Sequence, residues 1–262
     1  MTPAGNNSER LKNFLWSAGS FLLIFVAWDL GVRAFKVPAY LLPSPLAVFG
    51  AIVEHWRTLG IHTLWTTGTI LVGFIAAAVV AVPLAMLIVV SPTLGRLIYP
   101  PMVATQAIPK IALAPLFIVW FGFGLMPKVA VAFLIAFFPI VIDTIVGLRN
   151  IDPGMIQLAR SMGAPPRRVF LRLRLPNALP MIFGGLKVAS ALAVVGALTG
   201  EFVGSDKGLG YVLLQASGNL NTTLLFATLV VLSVVAMVFF YAVELIERVM
   251  IPWHVSQRAH PS

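Results

Sequence analysis

The chain has 262 residues, 59% of them hydrophobic and 10% charged, with a net charge of +9 and no cysteine. Soluble domains carry about 25% charged residues, so this composition excludes a soluble globular protein, and the missing thiols exclude disulfides and thiolate metal sites. In a soluble chain the positive charge would suggest nucleic acid; here the arginines cluster between apolar runs, which points to orientation in a bilayer and to no nucleic-acid partner.

Residues 1–13 are polar and read as a short disordered tail before a retained first helix at about 14–35, with no cleavage signal between them. Asp29 and Arg33 are spaced i, i+4 near the far end of that helix and can pair on one face. Pro43-Ser44-Pro45 reads as a helix cap and first turn. After it Phe49, Ile52, Val53, Trp56 and Leu59 fall at helical spacing opposite Glu54, His55 and Arg57. This amphipathic helix lies on the membrane surface or packs on its own bundle.

Further spans are expected at about 63–90, 102–122, 127–148, 178–200 and 222–246. No Asp, Glu, Lys or Arg occurs from Ile61 to Gly95 or from Gly208 to Val243, and each stretch exceeds the about 20 residues that cross a bilayer as a helix. Between the last two spans, Tyr211-Val212-Leu213-Leu214 suggests a short helix in a Gly- and Ser-rich connector. His55, His62, His254 and His260 show no paired ligand spacing, so no metal site is expected. Six spans put both termini on one side. With the N-terminus inside, eleven lysines and arginines fall inside and five outside, as the positive-inside rule requires.

The densest charge lies in Asp152–Pro180. From Arg149 to Arg174 there are six arginines (149, 160, 167, 168, 172, 174) against Asp152. Asp152-Pro153 reads as an N-cap followed by proline at the first helical position. Gly163 reads as a left-handed stop with Pro165 and Pro166 beyond it. A second short helix is expected over Arg167–Arg174, ending at Leu175-Pro176. The whole is a basic helix–turn–helix on the inner side.

These residues carry a resemblance. Gln157-Leu158-Ala159, three residues, Gly163, nine residues and Leu173-Arg174-Leu175-Pro176 resembles the EAA loop of ABC-importer permeases, with the same spacing at every anchor. Ile108-Pro109-Lys110-Ile111-Ala112-Leu113-Ala114-Pro115-Leu116, Trp120-Phe121-Gly122, Leu42-Pro43-Ser44-Pro45, Gly208-Leu209-Gly210-Tyr211 and Ile251-Pro252-Trp253 are similar to the nitrate/sulfonate/taurine-type members. The chain departs from the pattern at Gln157, where Glu is usual, and at Leu158, where Ala is usual.

The resemblance implies an all-α polytopic fold like that of type I ABC-importer permeases, with about six transmembrane helices. It divides the chain into a cytoplasmic tail (1–13), a first helix with an external connector (14–62), a permease core (63–250) holding the coupling loop 149–177, and a cytoplasmic tail (251–262). It implies the bacterial inner membrane, with both termini cytoplasmic. The implied partners are two ABC ATPase subunits, a second permease copy, an external solute-binding protein and the lipid bilayer. ATP and Mg²⁺ would belong to the ATPase, this chain binding no cofactor. Contact with the ATPase is expected at Gln157, Ala159, Arg160, Gly163, Ala164, Arg167, Arg168 and Pro176.

The chain lacks a phosphate loop, since Gly204-Ser205-Asp206-Lys207-Gly208 has the wrong spacing. It also lacks a catalytic set, so no enzyme activity of its own is expected. An ion-coupled secondary transporter working alone is the alternative; it would show more ionisable groups in its spans and two related halves. Gln106, Lys110, Asp143, Lys187 and Glu201 are the candidates to line a translocation path, with Gln106 one turn from Lys110 on the same helix face. Two mid-span lysines favour an organic anion such as a sulfonate or taurine; nitrate and vitamin-like solutes are carried by similar permeases.

Overall fold

Four helices in the computed structural model, which describes residues 6–253, are long and apolar enough to cross a membrane. They are α3 (Trp56–Val90), α6 (Leu125–Arg149), the run Pro166–Phe202 and α11 (Thr222–Met250). In hydrocarbon no water is available to the backbone, so a chain this apolar must satisfy its N–H and C=O groups within helices. No strand occurs among the described residues, and the protein is an all-α polytopic membrane protein.

α1 (Asn6–Ala34) begins before the expected residue 14 and runs for 29 residues. The tail expected at 1–13 is therefore helical from Asn6; residues 1–5 and 254–262, with most of the expected C-terminal tail, lie outside the described residues. The Arg33 guanidinium pairs with Asp29 at 2.7 Å, as the spacing predicts. α2 (Pro45–Glu54) starts where Ser44 caps it, its hydroxyl accepting from the Ala47 N–H, with Pro45 in the first turn.

The third expected span is not one helix. α4 (Pro92–Ala104) passes into a 3₁₀ turn (Thr105–Ala107), and after Pro109 a second 3₁₀ turn (Lys110–Leu113) leads into α5 (Ala114–Phe121). The two arms meet at 89°, so they form a broken span or a re-entrant loop. Proline is the cause. Pro109 has no N–H to give and forces Ile108 into extended backbone (φ −74°, ψ 126°). Gln106 and Lys110 thus lie on opposite sides of a break and share no helix face.

The remaining helices are α7 (Pro153–Ser161), α8 (Pro166–Val169), α9 (Leu175–Phe202) and α10 (Leu209–Gly218). α10 realises the short helix expected in the last connector. The chain divides into two units. In the first, formed by residues up to Gly60 with Val212–Val231, Val48 and Ala51 of α2 pack with Ala227 against Trp28, Ile52 and Phe226. α2 thus packs on protein through one side, while Phe49, Val53 and Trp56 stay exposed on the other.

The second unit, Ile61–Tyr211 with Leu232–Pro252, is built on the antiparallel pair α6 and α9. Their backbones touch at a ladder of small residues. A Cβ added at Gly196 would lie 2.6 Å from Ala132 Cα, one at Gly200 2.7 Å from Lys128 Cα, and one at Gly147 2.8 Å from Met181 Cβ. Between apolar helices in lipid there is no hydrophobic driving force, so close van der Waals packing at such residues is what holds them.

Candidate coupling loop and membrane polar sites

The arginine-rich loop is stiff for reasons found in its own residues. The Asp152 carboxylate accepts from the Gly154 N–H at 2.8 Å and caps α7. At the other end the Gly163 N–H donates to Arg160 O and the Ala164 N–H to Ala159 O. That pair of bonds is a Schellman cap, which needs a left-handed residue between its donors. Gly163 supplies it with φ +78°.

The second arm does not stop at Leu175-Pro176 as the sequence suggests. α8 continues through one π turn (Phe170–Arg174) into α9, making a single helical run of 37 residues from Pro166 to Phe202. Pro176 clashes with a regular i→i−4 ladder, and the π turn widens the helix just before it. There the Leu175 N–H bonds back to Phe170 O. The basic arm is therefore the lower end of a membrane span.

Of the expected contact residues, Gln157, Arg160, Gly163, Arg167 and Arg168 are exposed, while Ala159, Ala164 and Pro176 are half-buried. α7 and its C-cap residue Met162 also carry an apolar stripe at i, i+3 and i+7 that nothing covers among the described residues. Met155 is 52% exposed, Leu158 63% and Met162 79%. The guanidinium groups of Arg160, Arg167, Arg168, Arg172 and Arg174 form no ion pair or hydrogen bond among the described residues. Arg149, in contrast, stacks over the Tyr99 ring at 5.7 Å.

The five candidate path residues do not form one cluster. Lys187 pairs with Glu247 at 2.8 Å, a tie from α9 to α11. Lys110 pairs with no acid among the described residues; its ammonium lies 4.6 Å from the centre of the Phe138 ring, a cation–π contact. Asp143 is half-buried where α6 meets α9, and a Cβ at Gly185 would sit 3.1 Å from its carboxylate oxygen. Around the break, Val103 to Pro109 are all exposed, Gln106 included.

Glu201, 1% exposed, closes α9 at the end opposite the arginines. The Thr66 hydroxyl lies 2.8 and 3.0 Å from its two oxygens and donates to the carboxylate, and the Gly210 N–H donates at 2.8 Å. Thr66 in turn accepts from the Leu209 N–H at 2.7 Å, and His62 Nδ1 accepts from the Gly208 N–H at 2.9 Å. Gly208 has φ +113°, and a Cβ there would lie 2.2 Å from the Glu201 carboxyl carbon. Glu201 is thus a latch that holds the 208–210 turn. Sequence reasoning missed Thr66, His62 and Glu247; the Gly208-Leu209-Gly210 run was the one signal for the latch, and nothing local announces its partners.

A polytopic helical bundle with a stiff basic helix–turn–helix continuous with one span has the architecture of a membrane transport subunit. The chain belongs to the family of binding-protein-dependent transport system inner membrane components, the permeases of ABC importers, whose family model matches residues 69–252. It is 37% identical over 255 residues to the riboflavin transport system permease protein of Chloroflexus aurantiacus, covering 94% of each chain. With the formylaminopyrimidine transport permease protein of Halalkalibacterium halodurans it shares 36% over 238 residues, 90% of this chain and 95% of that one. A putative aliphatic sulfonates permease of Bacillus subtilis is 28% identical, with 92% and 89% covered. The fold matches the MetNI methionine ABC transporter in an inward-facing form, with TM-score 0.64 and 25% identity over 73% of this chain and 95% of that one.

Proposed function

We propose that the chain forms the solute path of an importer driven by a separate ATPase, and that α7 docks on that ATPase through Met155, Leu158 and Met162. The observation that carries this reading is the unbroken run from the loop's second arm into α9. A load applied at α7 passes through the Gly163 turn to a rod that crosses the membrane. Gln157, Ala159, Arg160, Ala164, Arg167, Arg168 and Pro176 belong to this coupling element; its Schellman cap uses Ala159 and Ala164 directly. ATP and Mg²⁺ are handled by two partner ATPases, and an external binding protein delivers the solute.

A second copy of this chain is part of the same proposal. The break at Val103–Pro109 exposes irregular backbone, and irregular backbone at membrane depth is tolerated where protein covers it or where it lines a water-filled path. A second copy across from it supplies both, with Gln106 and Lys110 beside the path. The loop's arginines put it in the cytoplasm. α9 and α11 then return the C-terminus to that side, and the N-terminus joins it when both α1 and the bent segment cross.

For substrate, the relatives with the higher identities are named for riboflavin and formylaminopyrimidine transport, which favours a heteroaromatic solute. The structure supports this against the anion reading, because the Lys187 charge is already held by Glu247. Lys110, which has no acidic partner, is the observation that keeps an organic anion as the second reading. Titrating the cognate binding protein with a pyrimidine, a flavin and taurine separates the two. For coupling, Gly163→Pro removes the N–H that bonds Arg160 and forbids φ +78°. Membrane insertion is expected to persist while uptake is lost; wild-type uptake would sink the coupling assignment.

A further inference from the structure

Beside the arginine-rich loop lies a cavity of about 530 Å³, inside the about 300–1,000 Å³ range of small-ligand pockets. Its floor is apolar, made by Val89 and Val90 at the end of α3 and by Val169 and Phe170 in the second arm. Its polar side is three arginines from three successive segments: Arg160 of α7, Arg167 of α8 and Arg174 of the π turn. No acidic side chain lines it, and none of the three guanidinium groups has a partner among the described residues. Like charges converging on one space repel each other unless an anion sits among them, and the planar guanidinium fork matches phosphate oxygens.

The apolar floor narrows the choice of anion. Val89 and Val90 end a 35-residue apolar helix, so they mark the level where hydrocarbon gives way to headgroups. A soluble phosphate would meet the arginines and leave this floor facing water. We propose that the cavity holds the headgroup of an anionic phospholipid, the arginines gripping its phosphate and the valines and Phe170 packing on its glycerol and first acyl carbons. Basic pockets between spans on the cytoplasmic side suit this chemistry. The ATPase dock proposed at Met155, Leu158 and Met162 does not line the cavity, and Arg160 and Arg167 move from expected ATPase contact to the lipid. The inference rests on the importer reading only in placing this loop at the cytoplasmic membrane surface.

The test is native mass spectrometry of the full chain, alone and with its ATPase, after adding phosphatidylglycerol or phosphatidylcholine. Phosphatidylglycerol is expected to stay bound in both samples, and phosphatidylcholine is not. Arg160→Gln/Arg167→Gln/Arg174→Gln is expected to cut retention roughly tenfold or more, while Arg172→Gln, exposed and outside the cavity, leaves it unchanged. The single changes Arg160→Gln and Arg167→Gln, at exposed positions, are expected to lower it severalfold and keep the test open should the triple variant be unstable. Equal retention by the variants overturns the proposal. So does displacement by millimolar inorganic phosphate, which marks a soluble-anion site, or loss of the lipid when the ATPase binds, which marks an acidic protein partner. Failure of the importer reading shows separately, as an ATPase that does not co-purify.

Discussion

A carboxylate as buried as Glu201 is stable only with donors aimed at it, and Thr66 serves it twice, by donating to it and by fixing the Leu209 N–H. Thr66→Val removes one donor and orphans that amide, which is expected to cost about 1–3 kcal/mol per unsatisfied group. The change should appear as a lower melting temperature in detergent and faster proteolysis near residues 203–208. Lys187 and Glu247 make a second case. Lys187→Met leaves the Glu247 carboxylate buried alone, a loss toward the low end of about 3–5 kcal/mol because Lys187 is partly exposed. Adding Glu247→Leu is expected to recover most of the melting temperature; if the double variant melts no higher than the single, the pair is not what holds α9 to α11. Glu247 was out of reach of sequence reasoning because apolar spans with little periodicity do not reveal which faces meet.

At the scale of the element, composition announced the helices, and local punctuation announced their caps. Ser44, Asp152 and Gly163 act as their residue types predict. Two proline effects were misjudged in opposite directions. Pro109 breaks its helix by holding Ile108 in extended backbone, whereas Pro176 is absorbed by a π turn no local signal discloses. The α6/α9 ladder was also hidden, since mid-helix glycine usually lowers helix stability by about 1 kcal/mol and reads as a weakness. Here it is a contact. Gly196→Leu drives a side chain into the Ala132 backbone and is expected to disrupt the pair, with a large fall in the folded, detergent-soluble fraction. Gly184→Leu is the control, because a Cβ there meets nothing within 4 Å; equal behaviour of the two variants would remove the ladder from the account.

For the whole molecule, the run Pro166–Phe202 sets the mechanics. At about 1.5 Å per residue its 37 residues join the arginine-rich loop to the Glu201 latch at the far end as one rod. In the proposed importer, ATP binding can move the bundle only if it favours one of two packings through this connection. The weakest place to interrupt the rod without touching α7 is the π turn. Leu171 and Arg172 are exposed there, and neither lines the lipid cavity. Leu171→Gly/Arg172→Gly adds about 1 kcal/mol of helix penalty per residue and makes a flexible joint. The ATPase is expected to co-purify and to hydrolyse ATP as before, because the dock proposed on Met155, Leu158 and Met162 is intact, while solute uptake falls more than tenfold. Leu158→Asp should do the opposite, losing the ATPase and leaving the rod whole. Normal uptake through the jointed rod would mean that another element carries the motion, and the loop would then be a dock without being a lever.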